Sequence, residues 1–398
     1  MSEWKEYKLG ELIDVKHGFA FKGSNIIDEL TPNILVTPGN FHIGGGFKNS
    51  KFKYFNSEFP KEYILNEDDV VVTMTDLSQK TDTLGYSAKI PKKEGFNFLH
   101  NQRIGLVKFI SKEVNKDFIY WLMRTESYQG FIVGSASGTS IMHTAPSRIK
   151  EFCFRLPPLP EQIQIASILS SLDDKIDLLH RQNKTLEQLA ETLFRQWFVE
   201  EAEESWEEKT ISDIIEVRDG THDSPKQTEN GKYLITSKHL KSNGIDYENA
   251  YKISETDFNE VNKRSKVDID DILFSMIGTL GLIHYVVKEP DFAIKNIGLF
   301  KSSQKPFFAK FLFLLLKSPQ GKRFIHENAD GSTQEYITLG NLRNFKFKYP
   351  GEHQIKGFDI DVQPYFEKII SNSKQIQTLT QLRDTLLPKL MSGEVRVG

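Results

Sequence analysis

From Gln162 to about Phe198 the chain carries neither proline nor glycine, and apolar side chains recur every seven residues at Ile165, Leu172, Leu179, Leu186 and Leu193. A second row, four residues on, holds Leu169, Ile176, Asn183, Ala190 and Trp197. Together the rows make a coiled-coil seam with one polar member. The spacing predicts a single helix of roughly 57 Å, at ~1.5 Å per residue over about 38 residues. The prolines of the preceding LPPLPEQ end a strand and are expected to forbid an earlier start. A second seam follows at Phe358, Tyr365, Asn372, Leu379 and Leu386, with Val362, Ile369, Ile376, Arg383 and Leu390 as its other row. Gly357 and Pro364 place its regular part after Pro364, and Pro388 is expected to end or kink it.

Ahead of each seam the pattern changes to short β-type runs: Val70–Met74, Ile104–Ile110 and Phe152–Leu156, then Ile272–Met276, Ile297–Lys301 and Phe345–Tyr349. Period-two alternation is plain in Phe152, Phe154 and Leu156, and again in Phe345, Phe347 and Tyr349. One helix per half is predicted near Asp117–Tyr128 and Phe307–Lys317. The halves are copies. WKEYKLGELIDVKHG from Trp4 returns as WEEKTISDIIEVRDG from Trp206, an offset of 202 residues that still aligns DDVVVTM at Asp68 with DDILFSM at Asp270. The register then shifts to 193, matching IGL at Ile104 with IGL at Ile297, and FIYWLMR at Phe118 with FLFLLLK at Phe311.

A repeat close to half the chain predicts two similar domains, related by a two-fold axis, and two helices paired antiparallel between them. The expected boundaries are 1–156 and 201–350 for the domains, and 157–200 and 351–398 for the helices. The axis falls near the middle of the first helix and brings Asn183 opposite Asn372. A buried asparagine pair there would fix the register, the rival reading being that both are solvated at the edge of the seam.

The 398 residues, 38% hydrophobic and 26% charged, fit two globular domains rather than a disordered chain. The longest apolar run, FLFLLL at Phe311, falls short of the roughly 18 residues that span a bilayer. No secretory signal is visible at MSEWKEYK, and one cysteine, Cys153, allows no internal disulfide, so a reducing cytoplasm is expected. The net charge of −3 includes six acids between Glu200 and Glu208, without which the remainder is +3. This permits a basic DNA-binding face without arguing for one.

No phosphate loop, HExxH, paired CxxC or GxSxG elbow is present, and the histidines lack ligand spacing. Asp68/Asp69 and Asp270/Asp271 occupy matching places and read as turns, with a metal pair the rival reading. The informative polar stretches are loops: KHGFAFKGSN from Lys16 and SGTSIMHTAPSR from Ser137 in one half, RDGTHDSPKQTENGK from Arg218, TSKHLKSNG from Thr236 and DGSTQEYITLGNLR from Asp330 in the other. Glycine allows close backbone approach, and Ser, Thr, His, Gln, Lys and Arg grip phosphates or read base edges. Each loop also has a plain turn reading.

The assembled pattern resembles the DNA-specificity subunit of type I restriction–modification systems. It is carried by the repeated opening at Trp4 and Trp206, RDGTHDSP at Arg218, ITSKHL at Ile235, DDILFSMIGTLG at Asp270, LPPLPEQ at Leu156 leading to LFRQWFVE, and the terminal TLLPKLMSGEVRV. The resemblance implies a mixed α/β (α+β) protein with two target-recognition domains joined by two long antiparallel helices. It implies that each domain reads one half of a split, asymmetric double-stranded DNA site, and that the chain docks two modification subunits. S-adenosylmethionine, ATP and Mg²⁺ would belong to those subunits and to the restriction subunits, with no cofactor, catalysis or membrane contact in this chain. On that basis Lys22, Lys80, Arg103, Thr139, Ser140 and His143 are expected to face DNA in the first domain. Thr221, His222, Lys226, Lys238, His239, Arg264 and Gln334 are expected to do so in the second. Leu193, Phe194, Trp197 and Phe198, with Leu386, Leu387, Leu390 and Met391, form the expected docking faces, or else are buried against the chain's own domains. A scaffold joining two proteins without DNA, and a nuclease using the Asp68 and Asp270 regions, are the rival classes.

Overall fold

The computed structural model describes residues 4–76, 78, 81–138, 141–241, 244–331 and 334–397. By compactness the chain divides into Met1–Leu178 with Gln375–Gly398, and Leu179–Lys374. The expected boundaries set the long helices apart as separate elements, but each helix is divided between the two units. Its apolar face belongs to the domain core beside it.

In the first unit a four-stranded antiparallel sheet runs in the order Ile13–His17, Ile104–Phe109, Val70–Thr73, Ser87–Lys89. A five-stranded sheet packs with it, in which Asn33–Val36 and Asn97–His100 are parallel neighbours. Lys5–Lys8 pairs with Cys153–Leu156. The second unit repeats this. Its four-stranded sheet runs Val217–Asp219, Ile297–Phe300, Ile272–Ser275, Ile283–Tyr285. Lys232–Thr236 is parallel to Phe292–Lys295, and Glu207–Thr210 pairs with Lys346–Tyr349. The predicted helices are Lys116–Leu122, followed by Glu126–Gly134, in one unit and Pro306–Lys317 in the other. All the predicted β runs hold strands, and the strand order of the duplicated sheet matches the two registers of the sequence repeat.

The first long helix spans Leu159–Arg195 and its last turn widens to π geometry over Gln196–Glu200. It starts earlier than expected, because Pro160 sits in the first turn, where a missing N–H costs nothing. The second spans Glu352–Ser392 without interruption, which corrects the expected start after Pro364. Gly357 lies close under a neighbour: a Cβ there would stand 3.3 Å from the Trp197 ring, a tight contact. Pro364 and Pro388 lie at exposed positions, where a carbonyl that loses its helical donor can be solvated.

In the second unit Asn372 is fully buried and its Nδ2 donates to Asn183 Oδ1 at 2.9 Å, so the two seam asparagines meet. In the first unit the helix segments are joined by a largely buried charge cluster, in which Arg124 is buried and Asp173 and Arg383 are partly so. Asp173 Oδ2 accepts from Arg124 Nη1 at 2.6 Å and its Oδ1 from Arg383 Nη1 at 2.5 Å. Arg124 is buried and also donates to the Gly44 carbonyl at 2.9 Å and to the Tyr120 hydroxyl at 2.7 Å. Burial pushes the Asp173 carboxyl up, but Arg124 and Arg383 outweigh it and hold the group below the ordinary aspartate value.

A carboxyl whose folded pKa is depressed stabilises the fold fully above its unfolded value, and the contribution disappears as pH falls through the folded value. Asp173 therefore adds stability at neutral pH that is lost progressively below about pH 4. Asp173→Asn strands Arg124 and is expected to cost about 3–5 kcal/mol at pH 7. Urea denaturation of the full chain at several pH values checks this. An equal difference between variant and parent at pH 7 and pH 2.5 would refute the ionic account.

Candidate nucleic-acid interface

Strand direction decides where the loops go. The central strand Ile104–Phe109 is antiparallel to both its neighbours, Ile13–His17 and Val70–Thr73. The chain therefore leaves His17, arrives at Ile104 and leaves Thr73 at one and the same end of the sheet. Three backbone hydrogen bonds tie these segments: Phe19 N–H to His100 O at 2.8 Å, Gln102 N–H to Phe19 O at 2.9 Å and Met74 N–H to Arg103 O at 2.9 Å. A fourth, Thr144 N–H to Met74 O at 3.0 Å, adds the polar loop that begins at Ser137.

The second unit builds the same end from equivalent atoms. Thr221 N–H donates to Ile294 O at 3.1 Å, Asn296 N–H to Thr221 O at 3.2 Å, and Ile337 N–H to Met276 O at 2.9 Å. Gly18 and Gly220 occupy the crossing, where a Cβ would fall 2.2 Å from Asn101 O and 2.5 Å from Ile294 O respectively. The polar hairpins match as well. Ser137 and His143 exchange backbone hydrogen bonds of 3.0 and 2.8 Å, and Asp330 and Tyr336 exchange bonds of 2.9 and 2.8 Å.

Loop shape is held by side chains that the sequence reading passed over. Asp76 is buried and accepts from Ser78 N–H at 2.6 Å, Thr83 N–H at 2.7 Å and Thr83 Oγ1 at 2.7 Å. Burial raises its pKa, but these donors outweigh burial and leave it below the ordinary value. Asp219 does comparable work in the other unit. It is buried, its Oδ2 lies 2.9 Å from His222 Nε2, and its Oδ1 pairs with Arg264. His222 Nδ1 lies 2.9 Å from Asn296 Oδ1, and Ser237 Oγ donates to Asn296 O at 2.6 Å. Asp219 lies within RDGTHDSP, but neither aspartate stands out in the sequence, since Asp in a turn is commonplace.

Of the expected DNA-facing residues, Lys22, Arg103 and His143 are exposed in the loops gathered at the first sheet end. His143 Nδ1 lies 3.1 Å from Thr75 Oγ1. Lys80, Thr139 and Ser140 lie outside the described residues. At the second sheet end His222, Lys226, Lys238, Arg264 and Gln334 are exposed. Two expectations are corrected. Thr221 is buried, and its Oγ1 accepts Asp223 N–H at 3.1 Å. His239 is buried, and its Nδ1 accepts Thr236 N–H at 3.0 Å. Asn40 does the same for Thr37 N–H at 3.0 Å in the other unit, so this is a turn cap inherited through the repeat. Burial holds the His239 pKa below the ordinary histidine value.

The expected docking residues divide. Phe194 is buried, and the partly buried Trp197 and Phe198 pack with it against Phe311 and Phe358, with Leu193 in the same cluster. Leu390 and Met391 are buried in the first core, with the partly buried Leu386 and Leu387 against it. Phe194, Leu390 and Met391 therefore serve the chain's own domains, while the other five keep part of their surface exposed. The paired acids are turns, since Asp68 and Asp270 take φ of 64° and 69°, while Asp69 and Asp271 accept N–H groups of Asn66 and Asp268 at 2.8 and 2.7 Å. Among the described residues no group of three His, Cys, Asp or Glu could hold a metal ion, and no helix is long and apolar enough to cross a membrane.

If His239 is a cap, His239→Ala costs about 1–3 kcal/mol by leaving Thr236 N–H without its acceptor. His239→Asn is expected to keep most of that stability. Chemical denaturation of both variants of the full chain checks this, and equal losses would remove the cap assignment.

A family model described as "Type I restriction modification DNA specificity domain" matches residues 1–188 and again 203–381. The chain is 29% identical over 317 residues to the type I restriction enzyme MjaIX specificity subunit of Methanocaldococcus jannaschii, covering 74% of this chain and 72% of that protein. It is 25% identical to the HindI specificity subunit of Haemophilus influenzae, covering 99% of this chain and 100% of that protein. Among solved structures, the type I restriction–modification S subunit of Mycoplasma genitalium shares the fold, with a TM-score of 0.58 at 21% identity over 98% of this chain and 96% of that one. The duplicated sheet and loops, the two matches of one domain model and these relatives agree: the chain belongs to the type I restriction–modification DNA specificity family, whose members are the non-catalytic specificity subunits of their complexes.

Proposed function

We propose that the chain reads a bipartite, asymmetric double-stranded DNA site, one short segment for each sheet end, and directs two adenine-methylating modification subunits to it. S-adenosylmethionine would be bound by those subunits, and ATP and Mg²⁺ would be used by a restriction subunit in the larger assembly. The long helices act as the spacer between the two readers. Major-groove faces recur on DNA after one turn, ~34–36 Å, so a reader of two separated segments needs such a spacer.

The duplicated loop cluster carries this reading. The same backbone scaffold presents two different sets of exposed side chains, with Lys22, Arg103 and His143 on one and His222, Lys226, Lys238, Arg264 and Gln334 on the other. Lysines on such a face position the duplex through phosphates, while Arg, Gln and His suit base edges.

Sequencing of methylated adenines in cells that express the chain with its modification subunit is expected to give two short defined segments separated by a gap of unspecified bases. A single contiguous motif would refute the two-reader proposal. Lys22→Ala and Lys226→Ala are each expected to weaken DNA binding on all sequences and to reduce the salt slope by about one unit. Titration at several salt concentrations checks this, and an unchanged slope removes the lysine from the phosphate contacts.

A further inference from the structure

We propose that Arg264 is a base-reading residue of the second domain, specific for guanine, and that Asp219 and His222 are the positioning residues that aim it. This deepens the two-reader proposal and rests on it.

Arg264 stands in the last turn of the helix Glu255–Ser265, where a cation is favoured by the helix dipole. At the same place in the first unit's topology, after strand Lys53–Phe55, there is only a short turn, Lys61–Tyr63. The helix is therefore an addition to the second reader, and it carries an arginine to the edge strand Val217–Asp219.

The guanidinium is held from one side. Its Nη2 pairs with Asp219 Oδ1, and among the described residues that is its hydrogen bond. The Arg264 side chain is 58% exposed while that of Asp219 is 9% exposed, so the anchor is buried and the reader is wet. A guanidinium carries five N–H donors in a planar fork. With one of them fixed, the fork is oriented and donors remain for the O6 and N7 acceptors of guanine.

His222 has a different part. Nε2 lies 2.9 Å from Asp219 Oδ2 and Nδ1 lies 2.9 Å from Asn296 Oδ1. Both ring nitrogens are engaged, so the imidazole serves as a strut. It engages the carboxylate oxygen that Arg264 leaves and ties the aspartate to Asn296, which holds a left-handed φ of 53° where the chain enters the central strand. An exposed ion pair is worth little for stability. A buried carboxylate braced on two sides suits the orientation of a fork instead.

The test is the methylation motif made by the full complex on a library randomised at both half-sites. The parent chain is expected to require guanine at one position of one half-site. Arg264→Lys keeps the charge and loses the fork, and it is expected to relax that requirement by roughly 5- to 150-fold, which is the loss of one good bidentate contact. The other half-site should be unchanged. Asp219→Asn should relax the same position alone and less severely, with Arg264 still present. The proposal is overturned by a parent motif without guanine, by an Arg264→Lys motif identical to the parent's, or by an equal loss on all sequences, which would mark a phosphate contact. A parent complex that methylates without a two-part motif would instead bring down the two-reader proposal, and this one with it.

Discussion

Strand direction around the central strand of each four-stranded sheet is the constraint on which the interface depends. An antiparallel pair alternates direction, so a strand with antiparallel neighbours on both sides receives its own entry loop and both neighbours' exit loops at one end. Ile104–Phe109 and Ile297–Phe300 are such strands. Register makes this binding. Slipping Ile297–Phe300 by one residue would turn its buried side chains to the wrong face. A core built on Ile297, Leu299 and Phe300 does not tolerate that.

Backbone hydrogen bonds and buried carboxylates then relieve the loop side chains of structural duty. The ties at Met74 and Met276 are between main-chain atoms and hold whatever the neighbouring side chains are. Where a side chain is required, the requirement is chemical rather than exact in identity. An acceptor three residues after a threonine closes the same turn as Asn40 in one unit and His239 in the other. One scaffold can so present two unlike sets of polar side chains.

What the sequence disclosed follows from this division. Period-two and seven-residue spacing are properties of burial, and they placed the strands, the seams and the meeting of Asn183 with Asn372. Loop residues carry no period. Thr221 and His239 look like readers in a string of letters, because turn caps and base contacts draw on the same polar types. Asp76 and Asp219 were illegible for the converse reason: their importance lies in being buried next to donors distant in sequence, such as Arg264, 45 residues away. Gly357 and Pro364 misled because helix propensity is a weak prior that tertiary packing overrides. The Trp197 ring packs closely over the glycine, and the proline sits where its backbone defect meets water. The aromatic surplus at Phe194–Phe198 reads as an interface from one strand of text, since only the fold supplies Phe311 and Phe358 as partners.

The two units also differ where a duplicated protein gains by differing. Their four-stranded sheets, glycine crossings and hairpins match in strand order and backbone hydrogen bonds, so a change there would disturb folding in either unit. The helix Glu255–Ser265 has no such tie to the repeat. It is placed by packing on the sheet through Val261 and by one buried carboxylate, Asp219, on the strand beside it. An element held by its own packing face and a few polar contacts can be gained or altered with little disturbance to the common scaffold, and its polar end then changes what one unit presents while leaving the other as it was. Asymmetry between two domains of common origin needs no more than this.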